Sequence, residues 1–594
     1  MSEYRAPVRD MVFVINELAG LAEVNQLSGF EDATPDLVEA VLEEASQLAR
    51  EVIGPVNAIG DTQGTRVESG EVQVPAEFKA AYQQYVDGGW PGLAMSPEYD
   101  GQGLPGLVGL AVEEMWQSAS LAWSLCPMLT HGAVHAIEQH GSDALRAAYL
   151  PKMVAGEWTG TMNLSEPQAG SDLSAIRSQA VPAGEHYKLS GQKIFITWGD
   201  HTMTDNVIHL VLARTPESPP GVKGLTLFLV PKFKLNDDGS SGDRNGVTTV
   251  SVEHKLGIHG SPTCVLSFED SEAYVIGELN NGLACMFTMM NRARLNVGLE
   301  GIAVSERSYQ LAVAHAIDRV QGRAPGKDGS VAIINHPDVR RMLMTMQAEI
   351  EAMRAVAYVT AANLEFAGRA DDAAVRAQHQ ARIELLTPII KAWCTESSQV
   401  LTSLGIQVHG GMGYVEETGA AQYFRDARIT TIYEGTTGIQ ANDLVGRKII
   451  RDQGAALNNL LEEITADANS LDVAQAELKS IQQALLNAVS GVQDSRDYIL
   501  ANYKNDPNLA GAVSYHMLMQ LGVVAGAWQA ARAAGIAQRH LDSGTAEAEF
   551  YEARLVLAQF YVEQILPRAV SHQLAIQSGS GTIMSMSEEQ FRAD

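Results

Sequence analysis

The sequence predicts an α+β multidomain protein in which helical domains flank a middle β domain. Its 594 residues are too many for one hydrophobic core, and a hydrophobic content of 46% is enough to bury several cores. Apolar residues recur every three or four positions at first, every second position in the middle, and every three or four positions again afterwards. This succession of periods predicts the order helix, sheet, helix.

The first predicted domain is helical and covers residues 36–158, after an N-terminal arm of residues 1–35. An apolar stripe at helical spacing begins at Leu37, and the same spacing returns over residues 110–123. Between the two stripes, residues 96–105 are rich in Gly, Pro and acidic residues, which is typical of a loop.

The middle β domain is predicted over residues 159–280, where the period of the apolar residues changes to two. Three runs of β-branched and apolar residues, 207–212, 225–230 and 247–252, predict strands. The polar stretch 236–243 predicts a surface hairpin or insertion, because Asn, Asp, Gly and Ser favour turns.

Two further helical domains are predicted, a C-terminal helical bundle over residues 281–450 and an extra C-terminal helical domain over 460–594. The extra domain is rich in Ala, Leu and Gln. Residues 461–594 contain 8 Lys and Arg against 16 Asp and Glu, so this part is net acidic.

Composition excludes several classes of function. The net charge of −29 opposes binding to nucleic acid, which needs a basic face. The 4 cysteines lie far apart, which indicates reduced thiols packed in cores and no metal site. No run of about 18 apolar residues and no basic leader is present, so we expect a cytoplasmic protein without a membrane span. Motifs of P-loop nucleotide hydrolases, serine hydrolases and zinc proteases are absent.

The segment Thr431–Gly438 is the strongest candidate for chemistry, because it sets Glu434 beside Gly435 in an apolar, hydroxyl-rich run. Burial in apolar surroundings raises the pKa of a Glu, which suits proton abstraction from a weak carbon acid. The adjacent Gly lets a substrate or cofactor approach the backbone closely. From this segment alone, a turn Glu that faces water is an equal alternative.

Four separated motifs together resemble the acyl-CoA dehydrogenase flavoprotein family. They are residues 162–172, residues 193–199, the segment Arg319-Val320-Gln321 and Glu434, in the order that the family has. The resemblance covers residues from about 36 to about 450, and the tail resembles the extra helical domain of the long members. In layout the chain is most similar to the subgroup of 3-methylmercaptopropionyl-CoA dehydrogenases and long bacterial fatty acyl-CoA dehydrogenases.

The resemblance implies α,β-dehydrogenation of a saturated acyl-CoA thioester to the trans-2-enoyl-CoA, with FAD as hydride acceptor. Side chains cannot accept a hydride, so a flavin is required. The family resemblance assigns the base to Glu434. In some relatives the base stands instead just before an Arg of the preceding helical segment, but that position is Ala293 here. The backbone N–H of the catalytic Glu and a flavin hydroxyl hold the thioester oxygen in the family.

The resemblance also assigns residues around the flavin ring. Met162, Leu164 and Ser165 correspond to a strand whose backbone N–H groups and hydroxyl address the polar edge of the ring. Phe195 stands where many relatives have a Trp stacked on the ring, and Thr197 where a hydroxyl meets the flavin edge. Phe keeps an aromatic face without an N–H donor, so we expect FAD binding with local differences. Packing in the strand core is the alternative for Met162, Leu164 and Phe195.

A second group of residues resembles the family's site for the adenine diphosphate half of FAD in the neighbouring subunit. Arg319 and Gln321 match its Arg-x-Gln segment, and Gln407, Gly411 and Thr436 match the residues that complete it. A guanidinium suits a diphosphate through forked hydrogen bonds. The tail of the long relatives replaces half of the usual tetramer contacts, so the resemblance implies a homodimer. A solvated helix charge is the alternative for Arg319.

On the substrate side, the resemblance assigns Ser171 to the turn near the pantetheine arm and Arg294 to the thioester region, with Gly435 beside the base. Asn291 stands where the family has an Asp, which weakens the assignment of the CoA adenine end. Trp123, Pro127 and Met128 fall where relatives line the acyl cavity, and helix core is their alternative role.

The resemblance implies an electron-transferring flavoprotein as electron acceptor. Two other functions remain open from the sequence. One is an acyl-CoA oxidase, because oxygen reactivity depends on access to the flavin. The other is a flavoprotein of the alkylation-response type without turnover, but that branch carries a basic DNA-binding tail where this chain is acidic.

Overall fold

The computed structural model of the protein describes residues 3–592, which group into two compact units. One unit consists of residues 7–39 and 297–592, and we call it the helical unit. The other consists of residues 3–6 and 40–296, and we call it the sheet unit. The predicted order of helix, sheet and helix is confirmed along the chain.

The α-helices are α1 (Val8–Phe13), α2 (Leu21–Val24), α3 (Pro35–Leu48), α4 (Gly54–Gln63), α5 (Ala76–Asp87), α6 (Gly106–Ala119), α7 (Leu121–His140), α8 (Asp143–Val154), α9 (Gly282–Asp318), α10 (Pro337–Arg369), α11 (Ala373–His409), α12 (Ala420–Ala427), α13 (Thr437–Asp443), α14 (Ala455–Asn469), α15 (Ala476–Asn502), α16 (Leu509–Asp542), α17 (Ala548–Phe560) and α18 (Arg568–Gln577). The strands are β1 (Arg66–Glu68), β2 (Glu71–Gln73), β3 (Trp158–Asn163), β4 (Gln179–Ala183), β5 (His186–Thr197), β6 (Asn206–Arg214), β7 (Leu225–Pro231), β8 (Phe233–Leu235), β9 (Ser241–Arg244), β10 (Val247–Val252) and β11 (Thr263–Ile276).

The sheet unit is built around a seven-stranded sheet in the order β10, β11, β5, β4, β6, β3, with β7 pairing with both β11 and β6. Strands β3 and β6 are parallel, and β5 pairs antiparallel with β11 and β4. Almost every residue of β6 and β7 is buried, which explains their continuous apolar runs. The predicted polar hairpin is confirmed as the two-stranded ladder of β8 and β9.

Helices α10, α11 and α16 form the centre of the helical unit, where the extra C-terminal helices pack directly on the bundle. The contact depends on small residues. A Cβ added at Gly522 of α16 would lie 2.3 Å from the Trp393 side chain of α11, and one at Gly526 would lie 2.2 Å from the Tyr561 hydroxyl. The two glycines therefore let α16 approach a fully buried Trp393.

Three other observations bear on the sequence predictions. The cysteines are buried and unpaired, as expected for core residues. The pattern missed the short hairpin of β1 and β2, because three-residue strands are too short to show a period. Helix α16 is long and apolar enough to cross a membrane, but 72% of its most apolar window is buried inside the protein, as in the core helix of a soluble protein.

Candidate active site

In the sheet unit, two of the predicted motifs meet where β3 and β5 end. The backbone N–H of Ile194 donates to the carbonyl of Ser165 at 3.0 Å, although the two residues belong to separate motifs. The Lys193 ammonium donates to the carbonyl of Leu164 at 2.9 Å. Met162 lies in β3, just before this junction. The structure thus brings together three of the five residues predicted around the flavin ring with the strand that carries the other two, Phe195 and Thr197.

A buried ion pair fixes this junction. The carboxylate of Glu166 accepts hydrogen bonds from Lys193 at 2.9 Å, from the Ser178 hydroxyl at 2.6 Å and from the backbone N–H of Arg177 at 2.7 Å. Burial by itself would raise the pKa of Glu166, but Lys193, Ser178 and Arg177 lower it to about 2. Burial lowers the pKa of Lys193 to about 8 despite Glu166. Sequence reasoning quoted both residues within motifs but did not recognise them as a pair.

Phe195 and Thr197 stand at the end of β5, and the backbone of Phe195 has an unusual conformation. Phe195 has a φ of 60° and is 61% exposed, a combination that is strained for a large side chain in a strand. Such strain costs about 1 to 3 kcal/mol and clusters at ligand sites. Strand-core packing is therefore the wrong alternative for Phe195. An exposed aromatic face beside the half-buried Met162, Leu164, Ser165 and Thr197 fits an isoalloxazine ring.

In the helical unit, Glu434 occupies a tight turn between Tyr433 and α13. Glu434 has a φ of 55° and is half-buried, and Gly435 has a φ of 91°. The Gln440 side-chain amide donates to the Glu434 carbonyl at 3.1 Å. The Thr437 hydroxyl donates to the Glu396 carboxylate at 2.5 Å. The turn holds Glu434 in the left-handed region, which few residues other than Gly and Asn adopt without a constraint.

Glu300 is a residue of this site that sequence reasoning missed. It lies on α9, is fully buried, and accepts a hydrogen bond from the Tyr433 hydroxyl. Burial raises the pKa of Glu300 to about 8, with Glu434 contributing in the same direction and Tyr433 and Lys391 opposing it. No local signal identifies Glu300, because its helix reads as an ordinary apolar stripe and its partner lies far along the chain.

The residues predicted to bind the diphosphate half of FAD all lie in the helical unit. Arg319 and Gln321 are exposed and contact each other, with 3.2 Å between guanidinium and amide oxygen. Gln407 and Gly411 are also exposed, at the end of α11. His315 and His409 stack with ring centroids 4.5 Å apart, so the ends of α9 and α11 are adjacent. Thr436 lies apart from these residues in sequence, where its hydroxyl accepts from Ile439 N at 3.2 Å as the N-cap of α13.

The predicted substrate residues of the sheet unit are accessible. Ser171 is exposed in the turn after β3, and Arg294 is half-buried on α9 with its guanidinium carbon 5.8 Å from the ring centroid of Phe287. Asn291 is exposed.

Of the three residues predicted to line an acyl cavity, Pro127 and Met128 border a small cavity together with Gln117. Trp123 does not border this cavity. Its indole N–H donates instead to the Phe78 carbonyl at 3.2 Å in the helix core.

Comparison with known protein families gives four consecutive matches. The N-terminal, middle and C-terminal domains of acyl-CoA dehydrogenases match residues 36–157, 161–271 and 280–449. A domain described as acetyl-CoA dehydrogenase C-terminal like matches residues 460–587.

Two relatives are similar over their whole length. The chain is 45% identical to the 3-methylmercaptopropionyl-CoA dehydrogenase of Ruegeria pomeroyi, over 98% of this chain and 100% of the relative. It is 34% identical to the broad-specificity linear acyl-CoA dehydrogenase of Mycobacterium tuberculosis, over 100% of both chains.

Solved structures show the same fold. Caenorhabditis elegans ACDH-11, crystallised in complex with C11-CoA, superposes with a TM-score of 0.77 at 19% identity, covering 99% of this chain and 97% of that one. An acyl-CoA dehydrogenase of Bacillus anthracis complexed with FAD superposes with a TM-score of 0.75 at 18% identity, covering 95% of this chain and 91% of that one.

Proposed function

This chain belongs to the acyl-CoA dehydrogenase family, and we propose that Glu434 is the base that removes the α proton of its acyl-CoA substrate. FAD is the cofactor of this family. When bound, FAD supplies the hydride acceptor for the β carbon, which no side chain can provide.

The observation that carries the proposal is the conformation of Glu434. Its carboxylate is half-buried in a turn with a positive φ, and the following Gly435 has no side chain to obstruct an approaching thioester. A partly desolvated carboxylate is a stronger base than one in water. A fully solvated turn Glu, the alternative from sequence, would not need this constraint.

The main chain of the same residue has a second role in the proposal. Proton abstraction places negative charge on the thioester oxygen, and a fixed N–H donor is worth about 2.7 to 4 kcal/mol there. The backbone N–H of Glu434 is the proposed donor. Because Gln440 holds the Glu434 carbonyl from one side and Tyr433 is anchored on Glu300, the peptide carrying this N–H is fixed before substrate binds.

We propose that FAD is held by the two sets of residues described above. Phe195, Met162 and Leu164 would pack on the ring, with the Ser165 and Thr197 hydroxyls at its polar edge. Arg319 and Gln321, together with Gln407, Gly411 and Thr436, would bind the diphosphate half of FAD in a homodimer. The exposure of Arg319 and Gln321 supports binding across subunits, since both side chains are available to a second chain.

The proposed substrate is a short or medium saturated acyl-CoA, including 3-methylmercaptopropionyl-CoA. Pro127 and Met128 fall where relatives line the acyl cavity, and bulky side chains there support a short or medium acyl group. The 45% identity to a 3-methylmercaptopropionyl-CoA dehydrogenase favours that thioester within the class. Ser171, Arg294 and Gly435 are the proposed contacts of its pantetheine and thioester parts.

Electrons are proposed to leave to an electron-transferring flavoprotein in the cytoplasm. The family relationship supports this acceptor, and the acidic composition supports a protein without a nucleic-acid partner. Hydrogen peroxide yield during turnover distinguishes this dehydrogenase from an oxidase. A stoichiometric yield of peroxide would identify an oxidase instead.

Replacement of Glu434 tests the base. Glu434→Gln is expected to stay yellow and to bind acyl-CoA, while flavin reduction slows by roughly 10²- to 10⁴-fold, the usual contribution of a general base. Glu417→Gln is the matched control, because Glu417 is an exposed carboxylate of the same unit. Full activity of Glu434→Gln would remove Glu434 from this role.

A substrate panel tests the acyl chain. We expect kcat/KM to be higher for butanoyl-, 3-methylmercaptopropionyl- and octanoyl-CoA than for palmitoyl-CoA. A maximum at palmitoyl-CoA would contradict the proposed chain length.

A further inference from the structure

A second carboxyl group contacts the residue that directly precedes the proposed base. Glu300 on α9 is fully buried, and one of its oxygens accepts a hydrogen bond from the Tyr433 hydroxyl. Its other oxygen is buried and has no hydrogen-bond partner among the described residues. A buried carboxylate with an unsatisfied oxygen carries a large desolvation cost, whereas a protonated carboxyl places a hydrogen on one of its oxygens.

Glu300 is connected to Glu434 through one residue. Tyr433 directly precedes Glu434, and its side chain ends on Glu300, so the position of the α9 carboxyl determines where the turn begins. Burial raises the pKa of Tyr433 well above its usual value, and Glu300 and Glu434 add to this shift, so Tyr433 stays a neutral donor.

The charged groups that face Glu300 come from two other elements. Lys391 on α11 is buried, and its ammonium donates to the Thr430 carbonyl at 2.8 Å. Glu434 contributes a like charge from the turn, and Tyr433 contributes a hydrogen bond. The Lys391 ammonium and the Glu434 carboxylate therefore act in opposite directions on a fully buried carboxyl.

We propose that Glu300 is a positioning residue for the reaction, a buried acid that orients Glu434 through Tyr433 and whose proton is coupled to the proton on the base. This inference rests on the proposed role of Glu434. It assigns to Glu300 two effects, a fixed geometry of the turn and a charge that depends on whether Glu434 is ionised.

The coupling follows from electrostatics. Glu434 must be ionised to act as a base, and its negative charge favours the neutral form of Glu300. Interaction between two titrating groups is reciprocal, so ionisation of Glu300 makes Glu434 hold a proton more strongly. Because the pKa of Glu300 is raised to about 8, the acid is neutral around neutral pH and loses its proton under mildly alkaline conditions.

The pH dependence of flavin reduction tests this coupling. In the holoenzyme, the single-turnover rate with butanoyl-CoA is compared at about pH 7 and about pH 9, one unit to either side of the pKa of Glu300. We expect the rate at about pH 9 divided by the rate at about pH 7 to be about threefold higher in the unmodified enzyme than in Glu300→Gln. Ionised Glu300 makes Glu434 a stronger base, and part of that increase in basicity enters the rate. Glu349→Gln, which removes another buried carboxyl of the helical unit, should leave the ratio unchanged.

Infrared spectroscopy gives a readout that does not depend on turnover. The unmodified protein should show the band of a protonated carboxyl that disappears as the pH rises through about 8, and Glu300→Gln should lack this transition. In Tyr433→Phe, a hydrogen bond that favours ionised Glu300 is lost, so the transition should move to higher pH.

The outcomes separate the two proposals. If Glu434→Gln is inactive and the transition is present only when Glu300 is present, both stand. An equal pH ratio in Glu300→Gln and unmodified enzyme, or a transition that Tyr433→Phe does not move, would overturn the role of Glu300 and leave Glu434 as the base. Full activity of Glu434→Gln would overturn the proposed function itself.

Discussion

The two regions that carry candidate site residues, one in each unit, are held in opposite ways. The junction of β3 and β5 is fixed by an ionised pair, Glu166 with Lys193, and by a backbone hydrogen bond between Ile194 and Ser165. The turn at Glu434 is fixed by side chains, among which the buried Glu300 is a carboxyl that tends to be neutral.

The difference comes from how many donors each carboxyl has. Glu166 accepts from an ammonium, a hydroxyl and two backbone N–H groups, which outweigh burial and keep it ionised. Glu300 accepts from Tyr433 alone among the described residues, and burial dominates. The Glu166 carboxylate thus stays ionised across the neutral range, whereas the Glu300 carboxyl beside the turn titrates near that range.

Breaking the ion pair should have the largest effect. Glu166→Ala leaves Lys193 buried without its carboxylate, which we expect to lower the free energy of unfolding by about 3 to 5 kcal/mol. Because Glu166 has a folded-state pKa below its ordinary 4.5, its contribution is present above that pH and is lost as the pH falls toward 2. Urea unfolding at neutral pH measures the effect.

The control for this change is Glu68→Ala on β1, which removes a carboxylate paired with Arg66 at the surface. Exposed pairs contribute little, so stability should be nearly unchanged. Equal losses from both variants would show that the burial of the Glu166 pair has no special importance.

A smaller effect is expected on the turn side from Gly435→Ala. The new Cβ would lie 2.6 Å from the Gln440 amide at a φ of 91°, so the turn must shift at a cost of about 1 to 3 kcal/mol. We expect kcat to fall by about tenfold, because the carboxylate and N–H of Glu434 move together. Gly438→Ala in α13 is the matched control, with its nearest atom at 3.8 Å. Similar kcat values for the two variants would contradict a constrained turn.

The smallest effect is expected on FAD binding, from a change at the exposed Phe195 of the sheet unit. Phe195→Ala should weaken FAD binding by about 1 kcal/mol, roughly fivefold in Kd, the size of a single aromatic contact. Phe195→Trp should retain binding. Flavin fluorescence titration measures Kd, and Val250→Ala on β10 removes an equally exposed apolar group as control. An unchanged Kd in Phe195→Ala would separate this side chain from the flavin.

The sequence predicted elements and motifs well where the signal is local. Runs of β-branched and apolar residues identified β6, β7 and β10, and the succession of Asn, Asp, Gly and Ser identified the hairpin of β8 and β9. Glu434 was singled out because a Gly, hydroxyl groups and apolar neighbours surround it in the chain itself.

Pairs that depend on distant partners were not predictable in this way. Glu300 and Tyr433 lie on different elements far apart in sequence, and nothing in the stripe of α9 distinguishes Glu300 from a solvent-facing acid. The strain at Phe195 was equally hidden, because a φ angle of 60° is set by the neighbouring strands and leaves no compositional trace.

The close contact of α16 with Trp393 also limits how the chain can be shortened. Trp393 is buried and Gly522 of the tail lies against its side chain, so a protein cut near residue 450 would lose part of the cover over this indole. Such a truncated enzyme would present an aromatic surface to water, and exposed apolar patches favour aggregation.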